Sequence, residues 1–123
     1  MTLHRPLAVV AALSGALAVL IGAFAAHGAG PAVKTLLNTG GHYLMVHALL
    51  GLACAAWPGR SRLVEIAGAL ALLGGWVFCL ALALIGWTST PAFGAVAPIG
   101  GVLMIGAWLL LALAAFRGKA GVR

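Results

Sequence analysis

The chain has 123 residues, 64% hydrophobic and 7% charged, with a mean hydropathy of +1.19. A soluble domain carries about 25% charged residues, so this composition excludes a globular protein whose surface faces water. The net charge of +6 comes from seven basic residues and one acid. Those basic residues lie outside the apolar runs and form no stripe along a helix, which argues against a nucleic-acid partner.

Four apolar runs make up most of the chain: Leu7 to Ala26, Tyr43 to Trp57, Leu63 to Trp87 and Val96 to Phe116. A helix crosses the hydrocarbon core of a bilayer with roughly 20 apolar residues, and in lipid its backbone must satisfy itself. We therefore expect an all-α integral membrane bundle of four transmembrane helices. It forms a single domain over residues 1–123, with spans at about 6–27, 41–57, 63–87 and 96–116.

The first span follows Arg5-Pro6, where a proline loses nothing because a first-turn N–H has no helical partner. The rival reading is a cleaved signal peptide, with Arg5 as its charged region and Ala23-Phe24-Ala25 as its cleavage site. A signal core has about 7–15 apolar residues and this run is longer, so we read a retained helix. Ser14, Ala18, Gly22 and Ala26 recur every four residues, a small-residue stripe that lets a second backbone approach in lipid. Gly28, Gly30 and Pro31 end this helix. Gly28 to Gly41 reads as an outer loop, with Pro31 to Asn38 as a short helix in the membrane interface.

Tyr43, His47, Gly51 and Ala55 share one face of the second span, which points Tyr43 and His47 into the bundle. Trp57 and Pro58 mark the inner boundary. The short turn Pro58 to Arg62 makes the second and third spans antiparallel neighbours. Glu65, the single acid, lies in the first turn of the third span. It suits the helix dipole there, with Arg62 as its expected partner. Gly74 and Gly75 mark close helix contact or a kink. Ser89 and Thr90 read as N-caps before Pro91. Gly100, Gly101 and Gly106 thin the fourth span for packing. Cys54 and Cys79 fall inside apolar runs and read as small hydrophobes.

Charge orients the chain. Arg5, Arg60, Arg62, Arg117, Lys119 and Arg123 fall on one side and Lys34 alone on the other. The positive-inside rule places the six in the cytoplasm, together with both termini.

Chemistry is sparse. His27, His42, His47 and Tyr43 form the predicted polar pocket on the outer side. His42 and His47 are about 140° apart around one helix, too far to share a metal. His27 with either one is the pairing that suits zinc or copper. No acid or cysteine supports it on that side, so we expect no metal and no cofactor, and neutral histidines bonding between helices. Tyr43, His47, Ser14 and the cysteines make a poor proton relay. There is no nucleophile–base pair or carboxylate pair, which argues against an enzyme. The paired glycines lack the strand that a dinucleotide fingerprint needs.

Three segments resemble a known family. Gly22-Ala23-Phe24-Ala25-Ala26-His27-Gly28 is similar to the G-A-F-G-A-H-G segment of the DUF423 family. Tyr43 to Leu49 resembles its Y-x-M-x-H-A-L stretch. Ala97 to Gly101 with Gly106-Ala107-Trp108 resembles its T-P-I-G-G and G-W segments. The resemblance implies a small four-helix plasma-membrane protein of bacteria, with a mitochondrial-type animal relative and no assigned activity. It points to His27, Tyr43, His47, Pro98, Gly100 and Gly101. The chain departs at Ala25, in a shorter outer loop, and at Gly74 to Cys79, where the family has a more polar stretch.

The leading expectation is a non-enzymatic protein of the bacterial inner membrane, partnered by lipid and by a second copy or another membrane protein. The rivals are a small transporter or conductance lined by His27, Tyr43 and His47, and a metal or haem site at the histidines.

Overall fold

The computed structural model describes residues 2–118, and Lys119 and Arg123 of the predicted basic flank lie outside them. Helix α1 runs Arg5–His27, α2 Pro31–Ala55, α3 Arg62–Thr88 and α4 Ala97–Arg117, with a short 3₁₀ helix at Pro91–Ala95 before α4. Among the described residues there is no strand. Among the described residues three segments are long and apolar enough to cross a membrane: Arg5–His27, Arg62–Thr88 and Ala92–Arg117. Helix α2 is long enough but less apolar, because Lys34, Asn38, Thr39 and His42 fall in its first half.

Two local signals set the ends of α1. The His4 side chain caps its start, its Nδ1 accepting the Leu7 N–H at 3.2 Å. At the other end the Gly28 N–H bonds the Phe24 carbonyl. Pro31 then occupies the first turn of α2. The expected outer loop and interfacial helix are corrected here: Pro31 to Asn38 are the first turns of one unbroken helix. The glycines that read as loop are contact points instead. A Cβ on Gly40 would lie 3.1 Å from the Cys79 Cα, and one on Gly41 3.2 Å from the Ile21 side chain. Glycine here lets α2 lie close to α3 on one side and α1 on the other.

Consecutive helices are packed neighbours, whereas α1 and α3 touch little. Helix α2 lies between α1 and α3 and buries Leu37, Leu44, His47 and Cys54. Helix α4 lies against α3 along a seam at Gly74 and Gly100. A Cβ on Gly74 would lie 2.8 Å from the Met104 nitrogen, and one on Gly100 2.5 Å from the Phe78 nitrogen. Gly51 and Gly75 serve the α2–α3 contact, where an added Cβ would lie 3.0 Å from Leu72 and 3.3 Å from His47 respectively.

At three predicted packing glycines the missing side chain is not what permits contact. A Cβ on Gly22, Gly101 or Gly106 would meet nothing within 4 Å, although the Gly22 backbone lies against Gly41. The α1 stripe drifts accordingly. Ser14 and Ala18 are buried, but the seam continues through Ala25, and Ala26 is exposed. A helix turns every 3.6 residues, so an i+4 series walks off its face and i+7 returns to it.

Helix α3 ends with Ser89 in the left-handed region (φ 53°). Neither predicted cap uses its side chain to cap a helix. Thr90 occupies the capping position of the 3₁₀ helix, but its hydroxyl donates to the Thr88 carbonyl at 3.3 Å. The partner of Glu65 also differs from expectation. Arg60, not Arg62, donates to it from Nε at 3.0 Å. Arg60 Nη1 also donates to the Thr2 and Ala55 carbonyls at 2.8 and 2.9 Å. Ala55 accepts the His4 N–H as well. The turn thereby fastens the start of α1 to the end of α2.

Candidate functional site

His47 is the buried polar centre of the bundle, at 4% exposure in the middle of α2. Both ring nitrogens are engaged. Nδ1 lies 2.7 Å from the Tyr43 carbonyl, one turn back on the same helix. Nε2 accepts the indole N–H of Trp108 from α4 at 3.1 Å. An indole nitrogen only donates and a carbonyl only accepts. The pair of bonds therefore requires the proton on Nδ1 and the lone pair on Nε2. Trp108 meets the imidazole edge-on, with ring centres 6.0 Å apart. Tyr43 stacks on its other side at 6.4 Å and meets Phe78 edge-on at 5.1 Å. Tyr43 is itself 44% exposed. It is half-exposed beside the buried His47 rather than turned into the bundle as predicted.

A second indole bond matches the first. Trp76 of α3 donates to the Ser14 hydroxyl of α1 at 2.8 Å. Trp76 joins α1 to α3 and Trp108 joins α2 to α4. Each bond thus links helices two apart in the chain, which share few backbone contacts. Among the described residues no buried side-chain polar atom lacks a partner. Sequence reasoning missed both tryptophans as donors. Their depth carries the signal: Trp57 and Trp87 end their helices, whereas Trp76 and Trp108 lie inside theirs, where an indole N–H needs an acceptor.

The predicted outer pocket does not assemble. His27 ends α1 and is exposed, and His42 is exposed on α2. A Cβ on Gly41 would meet Ala18 and Gly22, and one on Gly15 would lie 3.9 Å from the Ala48 Cβ. That register puts His47 level with Gly15, about 12 residues or about 18 Å along α1 from His27. His42 meets Tyr43 edge-on at 6.1 Å. Among the described residues no group of three His, Cys, Asp or Glu side chains is close enough to hold a metal. A metal at His47 would have to displace Trp108 from Nε2, since Nδ1 faces the helix backbone.

The outer half of α2 has a different character. Lys34, Thr35, Asn38 and His42 are exposed along one side. Lys34, Thr35 and Asn38 line a cavity of 240 Å³ with Ala25 and Ala26 of α1.

Residues 21–101 match the family described as "Protein of unknown function (DUF423)". The chain belongs to the DUF423 family. The matched stretch holds the Gly22 to Gly28, Tyr43 to Leu49 and Ala97 to Gly101 segments, and with them His47, its α3 neighbour Gly75, and Phe78, which meets Tyr43. The chain is 31% identical to a UPF0382 membrane protein of Haemophilus influenzae over 113 residues, covering 88% of this chain and 91% of that one. It is 32% identical to the UPF0382 membrane protein YwdK of Bacillus subtilis over 117 residues, covering 89% and 94%. A UPF0382 membrane protein of fission yeast is 34% identical over 109 residues, covering 80% and 92%. No solved structure matches the chain significantly. This DUF423 chain is thus a membrane protein from a family of unknown function, and its relatives reach into eukaryotes.

Proposed function

We propose that the DUF423 chain crosses the bacterial inner membrane four times with both termini cytoplasmic. It acts there without catalysis, by associating with protein inside the membrane as a homo-oligomer or an accessory subunit. The polar side of α2 carries this reading. Trp57 marks the inner boundary, and a hydrocarbon core of about 30 Å extends some 20 helical residues back from it, to about Leu37. Lys34 and Thr35 then stand in the outer headgroups and Asn38 lies at the boundary. His42 lies about 7 Å inside. An exposed imidazole at that depth faces lipid with nothing to bond, which is costly. A partner helix presenting a donor or acceptor removes the cost.

Two observations weigh against the rival classes. Glu65, the only carboxylate side chain, is engaged by Arg60, and both nitrogens of His47 are used within the bundle. A relay or a metal site would have to break these bonds.

The test is Asn38→Cys in native membranes, crosslinked through short bismaleimides and followed by native mass spectrometry. Cys54 and Cys79 are buried, so the new thiol is the reactive one. Association predicts crosslinked dimers or one reproducible heteromeric partner. A strictly monomeric protein with no partner overturns the reading.

A further inference from the structure

We propose that the cytoplasmic end of this chain holds one anionic phospholipid, its phosphate at Arg62 and one acyl chain in the groove between α1 and α3. The proposal needs α1 and α3 to cross the membrane, and does not depend on self-association through α2.

The groove exists because α1 and α3 run parallel and hardly touch. Its cavity of 660 Å³ starts at His4, Arg62 and Glu65 and ends at Trp76. Between these ends the walls are apolar, with Val10, Ile66 and Leu73 all exposed on the outer surface of the bundle. Residues 62 to 76 span about 21 Å of helix, the scale of one acyl chain. An apolar channel on a lipid-facing surface, opening at headgroup depth on Arg62 beside a Glu65 already paired with Arg60, has the polarity of a phospholipid.

Arg62 also lines a second cavity of 790 Å³, which lies between the Trp57 to Val64 turn and the end of α4. Arg117 and Ser61 line it too. Two arginines therefore line one cleft, and Arg62 lines both the cleft and the groove. Guanidinium groups suit phosphate oxygens through paired N–H donors.

Charge decides between a lipid and a second copy as occupant. Glu65 is the single acid of the sequence, and Arg60 holds it. Among the described residues Arg62 forms no ion pair. A second copy has no spare carboxylate side chain to offer and would bring more arginine to the same place. No side-chain carboxylate of this chain is free to fill that place. At this depth the abundant anion is a lipid phosphate, and basic pockets between helices on the cytoplasmic side suit such headgroups.

The experiment is native mass spectrometry of the full chain released from nanodiscs of equal phosphatidylglycerol and phosphatidylcholine. The wild type should retain one phosphatidylglycerol in preference to phosphatidylcholine. Arg62→Gln should cut that retention about fivefold, as about 1 kcal/mol per basic residue near an anionic surface implies, and Arg62→Lys should keep most of it. Ala69→Phe, at an exposed groove position, should also lower retention by filling the acyl channel while leaving the helical spectrum unchanged. Millimolar inorganic phosphate should not displace the lipid. Equal retention of both lipids, or an unaffected Arg62→Gln variant, overturns the proposal. So does full retention in Ala69→Phe. Displacement by phosphate assigns the cleft to a free anion and overturns the lipid seat.

Discussion

Gly100 and Gly101 are neighbours in sequence and opposites in space, so the same substitution should give opposite results. In Gly100→Ala the new Cβ would lie 2.5 Å from the Phe78 nitrogen, 2.9 Å from the Gly74 oxygen and 2.9 Å from the Phe78 Cα. All three are backbone atoms and cannot swing aside. Moving the closest contact to 3.4 Å requires α3 and α4 to separate by about 0.9 Å. A radial gap of about 0.5–1 Å forfeits a quarter to a half of each dispersion contact along the seam. Overpacking of this kind costs about 1–3 kcal/mol. In Gly101→Ala the Cβ meets nothing within 4 Å, and alanine is the better helix former, so the change should be neutral or slightly stabilising. Unfolding in mixed micelles by titrated sodium dodecyl sulfate, followed by far-ultraviolet ellipticity, reads the difference. Gly74→Ala should match Gly100→Ala, and the double variant should cost less than both effects added, because one separation relieves both clashes. A Gly100→Ala variant within about 0.5 kcal/mol of Gly101→Ala would refute the backbone contact.

Trp108→Phe should destabilise by about 0.6 and at most about 1.7 kcal/mol, the range for interhelical hydrogen bonds in lipid. A double-mutant cycle with His47→Phe, followed by the same detergent unfolding, should show coupling. A zero coupling energy would remove the indole tether. Trp76→Phe with Ser14→Ala tests the other tether in the same way. Arg60→Ala should lower resistance to the detergent clearly more than Arg62→Ala, since Arg60 holds Glu65, Thr2 and Ala55; equal effects would contradict the ion-pair assignment. Cys54 and Cys79 should resist a polar maleimide in the native protein and both react after denaturation, as their 0% and 1% exposure requires. Rapid native labelling would refute the packing around them.

Hydropathy made the helical class and three of the four helices legible, because a run of apolar residues has few other uses. It misplaced the start of α2. Lys34, Asn38 and His42 are polar, and Gly40-Gly41 looks like a loop to any local reading. Only the Cys79 and Ile21 neighbours, from other helices, show why the glycines belong in a helix. The same blindness separates Gly100 from Gly101, where helical phase decides and composition does not. His47 could be singled out as a polar group on a packed face, but its partner Trp108 lies 61 residues away. The predicted gathering of His27 with His42 and His47 failed for a related reason. Starting α2 at residue 41 instead of Pro31 places His42 and His47 at the end of a helix whose middle they occupy.

The Arg60 latch has a consequence for timing. Its four fixed points are Thr2, Ala55, Arg60 and Glu65, so the beginning of the chain is secured by groups made more than fifty residues later. During synthesis α1 and α2 can pack before Arg60 has been made, and the bonds from Arg60 to the Thr2 and Ala55 carbonyls can close only afterwards.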